Sequence, residues 1–171
     1  AAISFNPLLP LARAAVNKDL RPLFLTWLFF AVSMSASQSV FALYGQHAYN
    51  FSSFTTGLTF AATGVFAVIN QTVLLRSMWL KYFTESQLEV IMTIILGVSF
   101  FLLGFDILAL FYVGLPLFAT GQSIQRVVIT SEITGRTDPL MKGEALGILT
   151  SMRAASMVVG PMIGGALFEI H

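Results

Sequence analysis

Gln122, Gln125 and Arg126 stand at helical positions i, i+3 and i+4, on neighbouring points of one face. Arg153 lies inside another run that is otherwise free of charge, and Gln38 inside a third. Ionisable groups in such runs are functional candidates, because burying them in an apolar environment is costly. Arg153 could bind an anionic solute or pair with a carboxylate; alternatively it snorkels, with its head group reaching water along its own alkyl stem. The two glutamines could line a solute cavity or only bond neighbouring helices, at about 0.6 kcal/mol per contact. Bond-breaking chemistry finds no support. His47 and His171 are far apart, no Cys is present, and no Ser/His/Asp or paired-carboxylate arrangement occurs. No enzyme activity, metal or cofactor is expected.

The elements that must position these groups are long and apolar. No Asp, Glu, Lys or Arg occurs between Arg21 and His47, and none from Ala48 to Leu75. Further runs cover Val90–Phe105, Ile107–Gln125 and Ala145–Phe168, the last interrupted only by Arg153. A helix needs roughly 20 apolar residues to cross a bilayer core, and helices satisfy their own backbone groups there. Five spans are therefore predicted, at Leu23–Tyr44, Phe54–Leu75, Leu88–Leu103, Leu108–Ile129 and Ala145–Phe168. GQHAYNFSS, RSMWLKYFTES and SEITGRTDPLMKGE would be loops, with Asn70 and Gln71 capping the second span. The fold class is all-α, a polytopic membrane helical bundle.

Hydrophobic residues make up 56% and charged residues 10% of the 171. A soluble domain carries about 25% charged residues, so the lipid bilayer is the expected surroundings. The net charge of +1 gives no support for nucleic-acid binding. Of the nine basic residues, seven fall in alternate connections: Arg13, Lys18, Arg21, Arg76, Lys81, Arg136 and Lys142. By the positive-inside rule that side is cytoplasmic, together with the N-terminal end. Trp27, Trp79, Tyr44, Tyr49 and Tyr82 fall near the expected interfaces. Small residues sharing a helix face at spacings of three or four predict close helix packing, through Gly147, Ser151 and Ala155, through Ser156, Gly160 and Gly164, through Gly57, Ala61 and Gly64, and through Ala31, Ser35 and Ser39. Pro161 could bend the fifth span by removing a backbone donor.

Three segments carry a family resemblance. SVFALYGQHAYNFSSFTTGLTFAATGV joins spans one and two and includes Gln38. NQTVLLRSMWLKYFTESQL contains Gln71, then apolar residues, Arg76, Lys81 and Glu85. KGEALGILTSMRAASMVVGPMIGGALFE opens with Gly143 after Lys142 and closes with Gly160-Pro161-x-x-Gly164-Gly165. In order and topology they resemble helices seven to eleven, in the C-terminal half of a major facilitator superfamily transporter. The pattern is most similar to the drug/proton antiporter branch that includes the tetracycline exporters. The resemblance covers Leu20 to Glu169. It departs from the family at Thr84, where the loop pattern usually has Gly, and in lacking helix twelve and the N-terminal half.

The resemblance implies a piece of a longer chain, with residues 1–20 as a cytoplasmic linker between halves and 21–171 as an incomplete C-terminal bundle. Its partners would be the missing N-terminal half, a small solute and protons, in a plasma or bacterial inner membrane. Since no carboxylate lies at mid-span here, the proton-carrying group would belong to the missing half. Helices seven and ten commonly line the family's cavity, which makes Gln38, Gln122, Gln125, Arg126 and Arg153 the substrate-facing candidates. Gly147, Gly160, Pro161, Gly164 and Gly165 become the packing or gating set. Gln71, Arg76, Lys81 and Glu85 become the cytoplasmic loop motif. A reading from another class stays open: a non-transporting membrane scaffold that binds partner helices through the glycines of span five.

Overall fold

The computed structural model describes residues 20–170, without the side chain of Ile170. The linker over residues 1–19, with Arg13 and Lys18, lies outside the described residues, as does His171. The fold is all-α, and no strand occurs among the described residues. Five long helical elements follow one another: α1 (Arg21–Tyr49), α2 (Ser53–Ile69, continued by a π-helical stretch Asn70–Trp79 and one turn to Tyr82), α3 (Glu85–Leu103), α4 (Leu108–Arg136) and α5 (Lys142–Ile170, preceded by a 3-10 turn Pro139–Met141).

Four of these, α1, α2 with its continuation, α3 and α5, are long and apolar enough to cross a membrane. Many large apolar side chains on them are exposed, including Phe29, Phe54, Val90, Ile94 and Met162. Water would not sustain such a surface, whereas lipid would. The chain is a multi-pass α-helical membrane protein. The remaining helix, α4, is equally long and the least apolar of the five. Its character follows from its position. Ala119, Ile124 and Ile129 are fully buried, so much of its surface meets protein instead of lipid.

The connections are shorter than the sequence implied. α1 continues through GQHAY, leaving Asn50 to Ser52 as the turn, with Asn50 at φ 54. Asn tolerates this left-handed backbone better than most residues. The expected loop after Leu75 is helical as far as Tyr82, which places Gln71, Arg76 and Lys81 of the loop motif on a helix. No Gly or Pro interrupts that segment, so nothing in the local chemistry stops the helix. Only Phe83 and Thr84 separate it from α3. Thr84 caps α3: its hydroxyl accepts from the Gln87 N–H, and the Gln87 side chain accepts from the Thr84 N–H at 3.0 Å. This reciprocal box closes the turn with φ −75 at Thr84, a backbone that does not require Gly. Likewise α4 runs through SEITGR to Arg136.

The described residues form two compact units, one up to Ser37 and from Thr130 onward, the other Gln38–Ile129. In the first, Leu23, Phe24, Trp27, Ala31 and Met34 make one buried stripe of α1, and Ala145, Ile148, Leu149, Ser156 and Gly160 one of α5. Trp27 is a core residue of this unit; its indole N–H donates to the Leu149 carbonyl at 3.1 Å. A Cβ added at Gly160 would lie 2.5 Å from the Ser35 side chain and 2.8 Å from the Ala36 nitrogen. Of the small-residue stripes, Ser156, Gly160 and Gly164 are buried. Gly147, Ser151 and Ala155 are exposed, and no atom lies within 4 Å of a Cβ added at Gly147 or Gly165. In the second unit Gly57, Ala61 and Gly64 are likewise exposed. The spacing rule thus identifies close-packing faces, but here the chain itself fills only one face of α5.

In the second unit, Leu75, Leu88, Met92, Ile124 and Val128 form an apolar cluster joined by Trp79, Ile91, Ile95 and Val127. α3 packs tightly on α4 at Gly121, where an added Cβ would meet Leu96 Cγ at 2.7 Å. Towards the start of α4, Phe111 is buried among the rings of Phe41, Tyr49 and Phe51, at centroid distances of 5.8, 5.0 and 5.6 Å. The Tyr44 hydroxyl donates to Asp106, and the Tyr49 hydroxyl to the Phe105 carbonyl, which ties the α1–α2 end to the α3–α4 turn.

Candidate polar sites within the helical bundle

Within the second unit a polar seam runs along α4. Asn70 is 2% exposed, and its amide donates to the Phe66 carbonyl and to Thr120 Oγ1 at 3.2 Å. One residue on, the Gln71 amide donates to the Ser123 carbonyl at 3.3 Å. These two residues do not cap the second span, because the helix continues past them; they fasten its π-helical start to α4. The wider π turn is a form that recurs at functional positions in helices. Next along α4, Gln125 is 2% exposed and donates to Thr93 Oγ1 on α3 at 3.0 Å. Thr93 in turn donates to the Glu89 carbonyl at 2.7 Å. Gln125 Oε1 is buried with no hydrogen-bond partner, as is Trp79 Nε1 beside the same apolar cluster.

The three clustered residues thus differ in environment. Gln125 turns into the interface with α3, while Arg126 is exposed and Gln122 half-buried. Gln38, on α1, is exposed. The structure adds Asn70, Thr93, Thr120 and Ser123 to the seam. Thr93 and Thr120 were discoverable as hydroxyls inside apolar runs, but nothing in their spacing paired Thr120 with a residue fifty positions away. An unbonded amide oxygen in such a place costs about 1–3 kcal/mol, so this seam is incompletely satisfied by the chain's own groups.

Arg153 belongs to the first unit and is described separately. α5 starts at Lys142, three residues before the predicted span. Arg153 therefore lies roughly 16 Å along the helix at 1.5 Å per residue, close to half of a ~30 Å hydrocarbon core. It is exposed, and among the described residues it makes no ion pair. About two turns further, Pro161 stands inside α5, exposed, and removes one backbone donor without ending the helix. Arg76 and Lys81 are exposed on the continuation of α2, with Lys81 Nζ 5.5 Å from the Tyr82 ring centroid. Glu85 is half-buried in the first turn of α3, where a negative charge meets the positive end of the helix dipole. No group of three or more metal-ligating side chains occurs among the described residues.

No protein-family model matches the chain, and no curated protein or solved structure matches it.

Proposed function

We propose that this chain is the greater part of one helical bundle of a secondary transporter, which carries a small amphipathic solute by rocking two bundles about a midplane site. The observation that carries this reading is Arg153, a cation roughly halfway along a membrane-length helix, exposed and without an ion-pair partner among the described residues. Such a charge calls for an anionic solute or for a carboxylate supplied by a second bundle. Support comes also from the polar seam on α4 and from the open small-residue faces of α2 and α5, which would seat further helices closely. The major facilitator resemblance adds proton antiport as the coupling, a second half as the partner, and a plasma or bacterial inner membrane with the N-terminal end cytoplasmic.

The test is solute flux through the full-length polypeptide in vesicles. Arg153→Ala and a Gln122→Ala, Arg126→Ala double variant should each reduce flux while inserting normally. Unchanged flux in both would overturn the assignment of these residues to the pathway. A scaffold that binds partner helices is the second reading, favoured by the exposed Gly147, Ser151 and Ala155 face. It expects Gly147→Leu to release a bound partner, with no flux depending on the chain.

A further inference from the structure

α2 changes its winding partway. As far as Ile69 it is α-helical, and over Asn70–Trp79 it is π-helical, each bond reaching one residue further along the chain. The two buried residues of this stretch, Asn70 and Leu75, stand five apart. Trp79 follows four later, packed on the same apolar cluster as Leu75. An α-helical face repeats every three or four residues, so the π winding is what turns all three to one side. Nothing local demands it, since the stretch holds no Gly or Pro. Most π windings are single turns within α-helices, whereas this one runs for roughly two.

The same residues carry a second stripe. Asn70, Leu74, Met78 and Tyr82 recur at i, i+4, i+8 and i+12, which is the spacing of an α-helical face. In the π winding Met78 and Tyr82 are exposed, Tyr82 by 67%. Trp79 shows the reverse mismatch: its ring is packed against the cluster while its indole N–H is buried without an acceptor. Rewinding the stretch as an α-helix would carry Trp79 around the axis by roughly half a turn. The indole would leave the cluster, its N–H would be released, and Met78 would come to the inner side.

We propose that Asn70–Trp79 is a two-register switch latched by its first two residues. In one register the Asn70 amide holds Thr120 Oγ1 at 3.2 Å, the Gln71 amide holds the Ser123 carbonyl at 3.3 Å, and Trp79 is seated. In the other these bonds to α4 are given up, the stretch is α-wound, and Leu74, Met78 and Tyr82 face inward. The extended backbone at Phe83 and Thr84 takes up the change in length before α3 begins. A group that competes for the two amides at the polar seam thereby re-aims Arg76 and Lys81 at the charged end of the helix. The switch stands whether or not the chain transports a solute.

The experiment is fluorine NMR of the full chain, labelled with fluorotryptophan, in detergent micelles. The chain has two tryptophans, and Trp79→Phe assigns them. Trp79 is expected to give a major and a minor resonance in exchange, and Trp27, bonded to Leu149, only one. Asn70→Leu should raise the minor resonance several-fold. Gln71→Leu, at a half-buried position, should do the same and covers intolerance of the first variant. Met78→Lys charges the stripe that only the α winding buries, so it should abolish the minor resonance. An unchanged Trp27 resonance reports an intact fold. Because the chain contains no Cys, a nitroxide on Met78→Cys reads the register directly. Its mobile spectrum should gain an immobilised component that grows when Asn70→Leu is added. A single Trp79 resonance in the wild type and in both latch variants would overturn the proposal. So would a minor resonance insensitive to Met78→Lys, or a nitroxide that stays mobile throughout.

Discussion

Gly160 of α5 lies so close to Ser35 of α1 that a Cβ at position 160 would stand 2.5 Å from both Cβ and Oγ of Ser35. No real side-chain contact reaches that distance, so even alanine forces the two helices apart. Overpacking of this kind typically costs about 1–3 kcal/mol. Gly160→Ala should lower thermal stability of the purified chain in mild detergent, and Gly160→Leu should lower it further. Fluorescence of Trp27 is a suitable readout, because its indole bonds Leu149 across the same helix pair. Gly147→Leu serves as the comparison: with open space around it, it should leave the melting curve unchanged. Equal losses in the two variants would disprove the packing assignment.

The bond from Gln125 to Thr93 should respond unequally to its two possible deletions. Thr93→Val leaves a buried amide with neither its donor nor its acceptor satisfied, at about 1–3 kcal/mol. Gln125→Met removes the amide together with its unpartnered oxygen and keeps the volume, while Thr93 retains its bond to Glu89. That variant is expected to be close to neutral or slightly stabilising. Denaturation of both in the same detergent decides the matter. A larger loss for Gln125→Met would mean that the amide oxygen finds a partner in solution.

Thr84 makes the box that starts α3. Thr84→Ala should cost about 1 kcal/mol, whereas Thr84→Gly should cost only a few tenths. Hydrogen exchange at the first turn of α3 would register the difference locally, with earlier exchange at Gln87 in the alanine variant.

Phe111 holds the aromatic cluster at the start of α4 and is 1% exposed. Phe111→Ala should destabilise by about 3–5 kcal/mol through lost contacts and a residual cavity. Tyr44→Phe keeps the ring and loses the hydroxyl's bonds to Asp106 and Tyr49, so a cost of about 0.5–1.5 kcal/mol is expected. A thermal shift series that ranks the two the other way would show that the hydrogen bond, and not the ring packing, secures this end of the unit.

Much of the architecture was legible in the residues. Charge-free runs located the long helices, since a backbone in lipid must satisfy itself within its own segment. Their ends were less legible. Helix length past the apolar run depends on whether anything stops it, and polar residues such as Arg76, Gln46 and Thr134 do not. The small-residue rule found Gly160, yet it could not distinguish that buried face from the exposed one at Gly147, because both have the same spacing.

The sequence by itself determined an all-α membrane chain, the order of its helices and the set of polar residues held within them. These follow from local composition and period, which the bilayer imposes on any spanning segment. Tertiary structure alone decided that Gln125 turns to Thr93, that Asn70 reaches Thr120 fifty residues away, and that Trp27 is internal. Each depends on which face of a helix meets which neighbour. In lipid that choice is set by shape and pairing between helices, quantities that no single stretch of sequence contains.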